Sequence, residues 1–227
     1  MKHTIDGITY NVYKNYATVC ILADETLTKI HIPDKVEGKP IIRIDVGAFK
    51  NTDIIYISLP FSLEKICKEA FCNCKSLTKI EQRGMTSTNI IEVCDMAFYF
   101  CTKLNALNLT KRLLLTCNKD GSHFGFCRSL KSLQSVEIES CSDFYFTFQN
   151  CESLENIMFS GVYKLEFAPD TFWNCTKLRI LVLDCSLQLN NYTRDVLKQV
   201  TIITSPTNKK ILELGYEGYK VVSDNNM

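Results

Sequence analysis

The chain is written in a six-residue pattern, L-x-x-I-x-I, whose apolar positions alternate with polar ones at its end. It first reads Leu27-Thr-Lys-Ile30-His-Ile32 and returns as Ile54-Ile-Tyr-Ile57-Ser-Leu59, Leu77-Thr-Lys-Ile80 and Leu104-Asn-Ala-Leu107-Asn-Leu109. Later copies are Leu154-Glu-Asn-Ile157-Met-Phe159 and Leu178-Arg-Ile-Leu181-Val-Leu183. Such alternation predicts strands buried on one face. A second apolar stretch follows each of the early copies: Ile41, Ile42 and Ile44, then Leu63 and Ile66, then Ile90, Ile91 and Val93, then Leu113 to Leu115. Pro33 and Pro60 end the first strand of their coils, because proline cannot donate to a strand ladder.

A third element closes each coil. It reads Phe71-x-x-Cys74-x-x-Leu77 and recurs at Phe98/Cys101/Leu104, Phe124/Cys127/Leu130, Phe148/Cys151/Leu154 and Phe172/Cys175/Leu178, with the cysteines 24–27 residues apart. Thr52 stands at the cysteine position of an earlier copy. A period of about 20–30 residues means a stacked repeat protein. The internal spacing of this corner never changes while the repeat length does, so the length changes fall in the turns.

The expected fold is therefore a leucine-rich solenoid, α/β by convention but mostly β. It should be a right-handed coil with one long parallel sheet and about seven repeats of roughly 22–27 residues, capped at both ends. Residues 1–26 read as a β cap, with Ile8, Tyr10 and Val12 on one strand and Val19 to Ile21 on the return. Residues 27–185 carry the repeats and 186–227 an α/β cap, all in one continuous domain. In that last segment Thr193 is placed to cap a short helix through Leu197, and Val200 to Thr204 reads as a strand. Ser205-Pro206 should start a helix that runs Asn208 to Leu214 and stops at Gly215. The fifth repeat allows two registers, Leu130/Leu133 or Leu133/Val136/Ile138. The second restores the pattern and is preferred.

Composition adds limits. The 227 residues are 46% hydrophobic and 22% charged with a net charge of +1, so no overall field draws in nucleic acid or an acidic membrane. No apolar run is long enough for a membrane span. The segment Met1 to Ile8 lacks the apolar core of a signal peptide, which points to the cytoplasm. Twelve cysteines are many. Equivalent positions of stacked coils lie roughly 5 Å apart, within reach of a disulfide, but parallel side chains point the same way rather than at one another. They are expected as buried free thiols, which favours a reducing compartment.

Candidate chemistry is sparse. Cys72-x-Cys74 has no second close pair, and His123 lies four residues from Cys127 on a loop. Neither is a metal site. His3, His31 and His123 pair with no cysteine at a familiar spacing, and no phosphate loop or metalloprotease motif exists. No catalytic residue, cofactor or metal is expected. The open sheet face is the better candidate, because the third and fifth residues of L-x-x-I-x-I point away from the core. These are Lys29 and His31, Tyr56 and Ser58, Lys79 and Glu81, Ala106 and Asn108, Ser135 and Glu137, Asn156 and Met158, Ile180 and Val182. The strip runs from charged to apolar. Ile180 and Val182 lie either under the carboxy-terminal cap or in an apolar patch for a partner. Within the strip Tyr56, Lys79 and Met158 are the central binding candidates.

Three stretches carry a resemblance. L-x-x-I-x-I-P in Leu27–Pro33, G-K-P-I-I-R-I in Gly38–Ile44 and A-F-x-N-C-x-S-L in Ala70–Leu77 resemble the BspA-type (LRR_5) leucine-rich repeats of bacterial and protist surface proteins, over about residues 8 to 185. The sequence departs from them in its lack of a leader, its many cysteines, and Cys67 and Cys94 where a glycine often follows the return-strand Ile. The resemblance implies a surface-displayed or secreted binding module, some relatives being adhesins for host matrix proteins, with no shared catalytic residues. The expectation is a non-enzymatic scaffold for a protein or glycan ligand, monomeric or weakly self-associating. The alternative is a structural component of a larger assembly, joined through self-association.

Overall fold

The computed structural model describes residues 1–84, 90–116, 121–138, 145–160, 167–168, 170–184 and 190–225. Strands β1 (Lys2–Ile5), β2 (Ile8–Val12) and β3 (Ala17–Leu22) form an antiparallel meander. The coils follow, each with a face strand and a return strand. They are β4 (Lys29–His31) with β5 (Lys35–Val36) and β6 (Lys39–Ile44), β7 (Tyr56–Leu59) with β8 (Lys65–Ile66), β9 (Lys79–Gln82) with β10 (Ile90–Val93), and β11 (Ala106–Asn108) with β12 (Arg112–Leu115). Then come β13 (Ser132–Ile138), β14 (Asn156–Ser160) and β15 (Ile180–Asp184). Helix α1 (Asn191–Leu197), β16 (Thr201–Thr204), α2 (Lys209–Leu212) with a 3-10 turn (Glu213–Glu217), and β17 (Val221–Ser223) finish the chain. The whole is a β-solenoid of about eight turns.

A long, mainly parallel sheet is present, as the pattern predicts, but the L-x-x-I-x-I copies are divided between it and a shorter one. A four-stranded face sheet runs β4-β7-β9-β11, and a 13-stranded sheet runs β1-β2-β3-β6-β8-β10-β12-β13-β14-β15-β16-β17, with β5 on the side of β6. The reason lies in the fifth coil. In the fourth, Leu107 and Leu113 are far enough apart for a turn between β11 and β12. In the fifth, only Gln134 and Ser135 separate Leu133 from Val136, so face and return stretches run on as one strand with an irregular register between them. Its start pairs with β14 (Ser132 opposite Asn156, Leu133 opposite Ile157), and its end pairs with β12 (Leu113 opposite Val136, Leu115 opposite Ile138). Leu133 therefore takes the second apolar place of the pattern, with Leu130 the first. The preferred register, which put Leu133 first, is corrected.

The core is a stack of corners. Rings of Phe49, Phe71, Phe98, Phe124, Phe148 and Phe172 lie face to face, with centroids 5.2, 5.4, 5.1, 5.8 and 5.4 Å apart. Each buried phenylalanine stabilises by about 1.5–3 kcal/mol, and stacked pairs add about 0.5–1.5 kcal/mol. The backbone holds the spacing. The N–H of each corner Phe donates to the carbonyl just before the next Phe, as Phe71 to Ala97 (2.8 Å) and Phe124 to Thr147 (2.9 Å). The N–H two residues on donates to the carbonyl just after it, as Asn73 to Tyr99 and Asn150 to Trp173, both 2.7 Å. That second residue is left-handed in each corner, φ +57 to +63° at Asn51, Asn73, Phe100, Phe126, Asn150 and Asn174. Asparagine tolerates this region better than most side chains. Phe100 and Phe126 do not favour it, and they compensate by stacking on each other at 4.3 Å. The asparagines ladder, with Asn73 Nδ2 donating to Asn51 Oδ1 (2.8 Å) and Asn174 Nδ2 to Asn150 Oδ1 (2.9 Å). Phe126 interrupts that ladder, and the buried Nδ2 of Asn150 has no acceptor among the described residues.

The corner cysteines do more than fill space. Cys74, Cys101, Cys127, Cys151 and Cys175 each donate Sγ–H to the carbonyl of the preceding corner's Phe, at 2.9–3.1 Å. These five, with Cys20, Cys67, Cys72 and Cys94, are free thiols; Cys117, Cys141 and Cys185 lie outside the described residues. Burial pushes the Cys101, Cys127 and Cys151 thiols far above their ordinary range and Cys175 up to about 12.

The end of the chain departs in detail from its reading. Asn190, not Thr193, caps α1, its Oδ1 accepting from the Thr193 N–H at 2.7 Å. Thr193 is buried and its Oγ1 accepts from the Phe167 N–H. Asn208 caps α2 in place of Ser205-Pro206, and left-handed Gly218 rather than Gly215 ends the 3-10 turn. The parallel ladder continues through β16 and β17. The boundary read at 185–186 lies outside the described residues.

Candidate functional site

The face sheet sets side chains in two columns. Lys29, Tyr56, Lys79 and Ala106 are register partners in one, and His31, Ser58, Glu81 and Asn108 in the other. Neighbours within a column are about 4.8 Å apart, the spacing of paired strands. Tyr56 Oη donates to Glu81 Oε2 at 2.7 Å, and Lys79 pairs with the same carboxylate. Lys79, and after it Tyr56, hold the Glu81 carboxyl below its usual range, and the Glu81 bond raises the Tyr56 hydroxyl. Arg83 reaches the His31 ring and Asp34. Lys29 and Asn108 stand exposed.

Two predicted strip residues are not open to solvent. Ser58 is only 2% exposed. Glu137 is 8% exposed and pairs with Arg112; it sits opposite Leu114 of β12, in the return part of β13. Its displacement follows from the register of the fifth coil. The side chain of Ser135 lies outside the described residues. Asn156, Met158, Ile180 and Val182 are all half-buried and belong to the long sheet, where Asn156 faces Ile180 and Met158 faces Val182. Ile180 and Val182 are in turn paired with Thr201 and Ile203 of β16.

Where β11 and β13 part, a cleft of about 530 Å³ opens. Asn105 to Lys111 line one side and Lys131 to Gln134 the other, with Gln82 between. Gln82 braces it, with Nε2 donating to Pro60 O (3.2 Å) and Oε1 accepting from the Thr110 N–H and hydroxyl (3.2 and 2.9 Å). Lys111 is tied back, its Nζ on Leu63 O at 2.8 Å and 5.1 Å over the Phe61 ring, and burial lowers its pKa. Phe61 lies there because Gly84, at φ +109°, has no Cβ; one would sit 2.5 Å from that ring. Sequence reasoning missed this cleft. Its signal was the two-residue gap between Leu133 and Val136.

The return side neutralises itself. Arg43–Asp45 (2.7 Å), Lys65–Glu92 (2.6 Å) and Arg112–Glu137 are ion pairs along the long sheet. Exposed pairs of this kind each contribute little to stability. Buried His123 bonds Thr116 O at 2.9 Å. Among the described residues no three His, Cys, Asp or Glu side chains group to hold a metal, and no helix is long and apolar enough to cross a membrane.

Stacked parallel strands, a phenylalanine corner and a strip of outward polar columns define a leucine-rich repeat solenoid. The profile of the BspA type leucine rich repeat region matches residues 21–135 and 120–220, in six copies. The chain belongs to the BspA-type leucine-rich repeat family. It is similar to the leucine-rich repeat protein of T. pallidum (TpLRR), with 18% identity, TM-score 0.64 and 98% of each chain covered. It also resembles a leucine-rich cell surface protein of Faecalibacterium prausnitzii A2-165, with 19% identity, TM-score 0.53 and 80% of this chain and 54% of that one covered. A search of curated proteins finds no match. BspA-type repeat proteins are generally protein-binding or adhesion scaffolds and non-enzymatic.

Proposed function

We propose that the chain is a non-enzymatic protein-binding scaffold that takes its ligand along the face strip. The carrying observation is the pair of registered columns, with Tyr56, Lys79 and Glu81 locked to one another and Lys29 and Asn108 exposed beside them. Side chains already held in place lose less entropy on binding. The cleft beside Asn108 gives an extended ligand a place to turn in, and Asn156, Met158, Ile180 and Val182 carry the strip onward with a more apolar surface. The charged return side, already ion-paired, offers less. A face of this length suits a protein ligand, which is also what domains of this family usually bind; a glycan is the other candidate.

Photo-crosslinking tests the reading. A photoreactive side chain at Tyr56 or Asn108 should capture a ligand from a panel of extracellular matrix proteins or from a lysate of the native cell, and one at Gln149 on the corner side should not. The triple change Tyr56→Asp, Lys79→Asp and Met158→Asp should weaken that binding at least about tenfold, since truncation of a few central residues removes most interface energy. Capture from Gln149 alone, or a triple variant that binds like the parent, would rule out the face strip.

A further inference from the structure

The corner stack ends in an unfilled place. From Phe49 to Phe148, each corner's two N–H groups meet carbonyls of the next corner. At the last corner the N–H groups of Phe172 and Asn174 have no partner among the described residues. Above Phe172, where one more coil would sit, α1 stands off and leaves a slot of about 190 Å³. Its floor is Phe172, Cys175 and Leu178, the trio that lower in the stack supports the next phenylalanine ring. Val196 and Val200 form the far wall. Trp173 and Tyr192, 58% and 51% exposed, stand at the mouth.

The slot is smaller than pockets that take drug-sized ligands, about 300–1,000 Å³. Its chemistry is repeated four times inside this chain, where the same floor is covered by a ring 5.1–5.8 Å away, flanked by two carbonyls. We infer that the slot receives a phenylalanine of a partner peptide bound as one more corner. The ring stacks on Phe172, and the carbonyls before and after it accept from the Phe172 and Asn174 N–H groups. This contact continues the interface that already joins coil to coil. The corner phenylalanines of a second copy, from Phe49 to Phe148, do not supply the ring, because they are fully buried in their own stack. The occupant is a flexible segment with an exposed Phe. The slot shares no residue with the face strip and stands independently of it.

Trp173 is the only tryptophan in the chain, so its emission reports the slot directly. The full chain is titrated with a synthetic peptide of sequence Lys68–Leu77 carrying Cys72→Ser and Cys74→Thr. A saturable blue shift is expected. The same peptide with Phe71→Ala should bind about ten- to hundredfold more weakly, the factor that burial of one ring carries. Gln199→Phe, at an exposed position on the slot's rim, should fill the slot from within and remove the response while leaving the circular dichroism unchanged. If that variant does not fold, the comparison of the two peptides decides. No saturable response at millimolar peptide, or an equal response to the Ala peptide, overturns the inference.

Discussion

Raising the pH should loosen this fold well before lysine or tyrosine titration begins. Cys101, Cys127, Cys151 and Cys175 are buried thiols whose pKa values burial drives up, well above the ordinary range for the first three and to about 12 for Cys175. In the unfolded chain they ionise near about 8.5. Below that value both states hold the proton and the thiols leave stability independent of pH. Above it the unfolded state releases protons that the folded state keeps, so stability falls as pH rises, across the window between the unfolded and folded pKa values. At pH 9.5 each thiol contributes a loss of about 1.4 kcal/mol, and the four together about 5–6 kcal/mol, against a typical domain stability of about 5–15 kcal/mol. Urea unfolding followed by circular dichroism, under a phosphine reductant at pH 7.5, 8.5 and 9.5, measures this. A variant with all four changed to threonine isolates it. Thr52 already occupies the cysteine place of the first corner, and its hydroxyl donates to Phe49 O at 2.7 Å. The parent midpoint should fall steeply above pH 8.5 and the threonine variant's should fall much less. Equal slopes for the two, or a parent midpoint that does not move, would refute the reasoning.

Three further outcomes are expected. Phe124→Ala removes a ring stacked on both sides and should cost about 3–5 kcal/mol of stability, read from the urea midpoint. Gly84→Ala puts a methyl 2.5 Å from the Phe61 ring at φ +109° and should cost about 1–3 kcal/mol, with a changed environment at Lys111 visible in its side-chain NMR signal. Tyr56→Phe takes one of three donors from Glu81, so that carboxyl should titrate higher than in the parent yet remain below the ordinary value because Lys79 and Asn108 stay, a difference that carboxyl-carbon NMR resolves.

The corner was plain in the sequence because its side chains do the same job in every coil. Phe, Cys and Leu recur at fixed spacing, and each is buried for a reason that residue type reveals. The left-handed residues were not visible at Phe100 and Phe126, where nothing in an aromatic side chain announces that backbone; their mutual stacking, a contact between coils, makes it tolerable. The face columns followed from alternation alone. The break after β11 did not, because Leu130, Leu133, Val136 and Ile138 satisfy two registers equally well. The choice was made by pairing partners on both sides, Leu113 and Ile157. Glu137 and its place beside Arg112 were lost with that register.

From Phe49 to Phe148 each corner passes its two N–H groups forward, and from Phe71 to Phe172 each offers its two carbonyls backward. One coil is thus interchangeable with another as far as the backbone is concerned. A gene that duplicates or drops one whole coil changes the length of the protein while leaving no new donor or acceptor stranded. The same rule fixes a direction of growth, since a coil can be added after Phe172 only if it arrives with its carbonyls first.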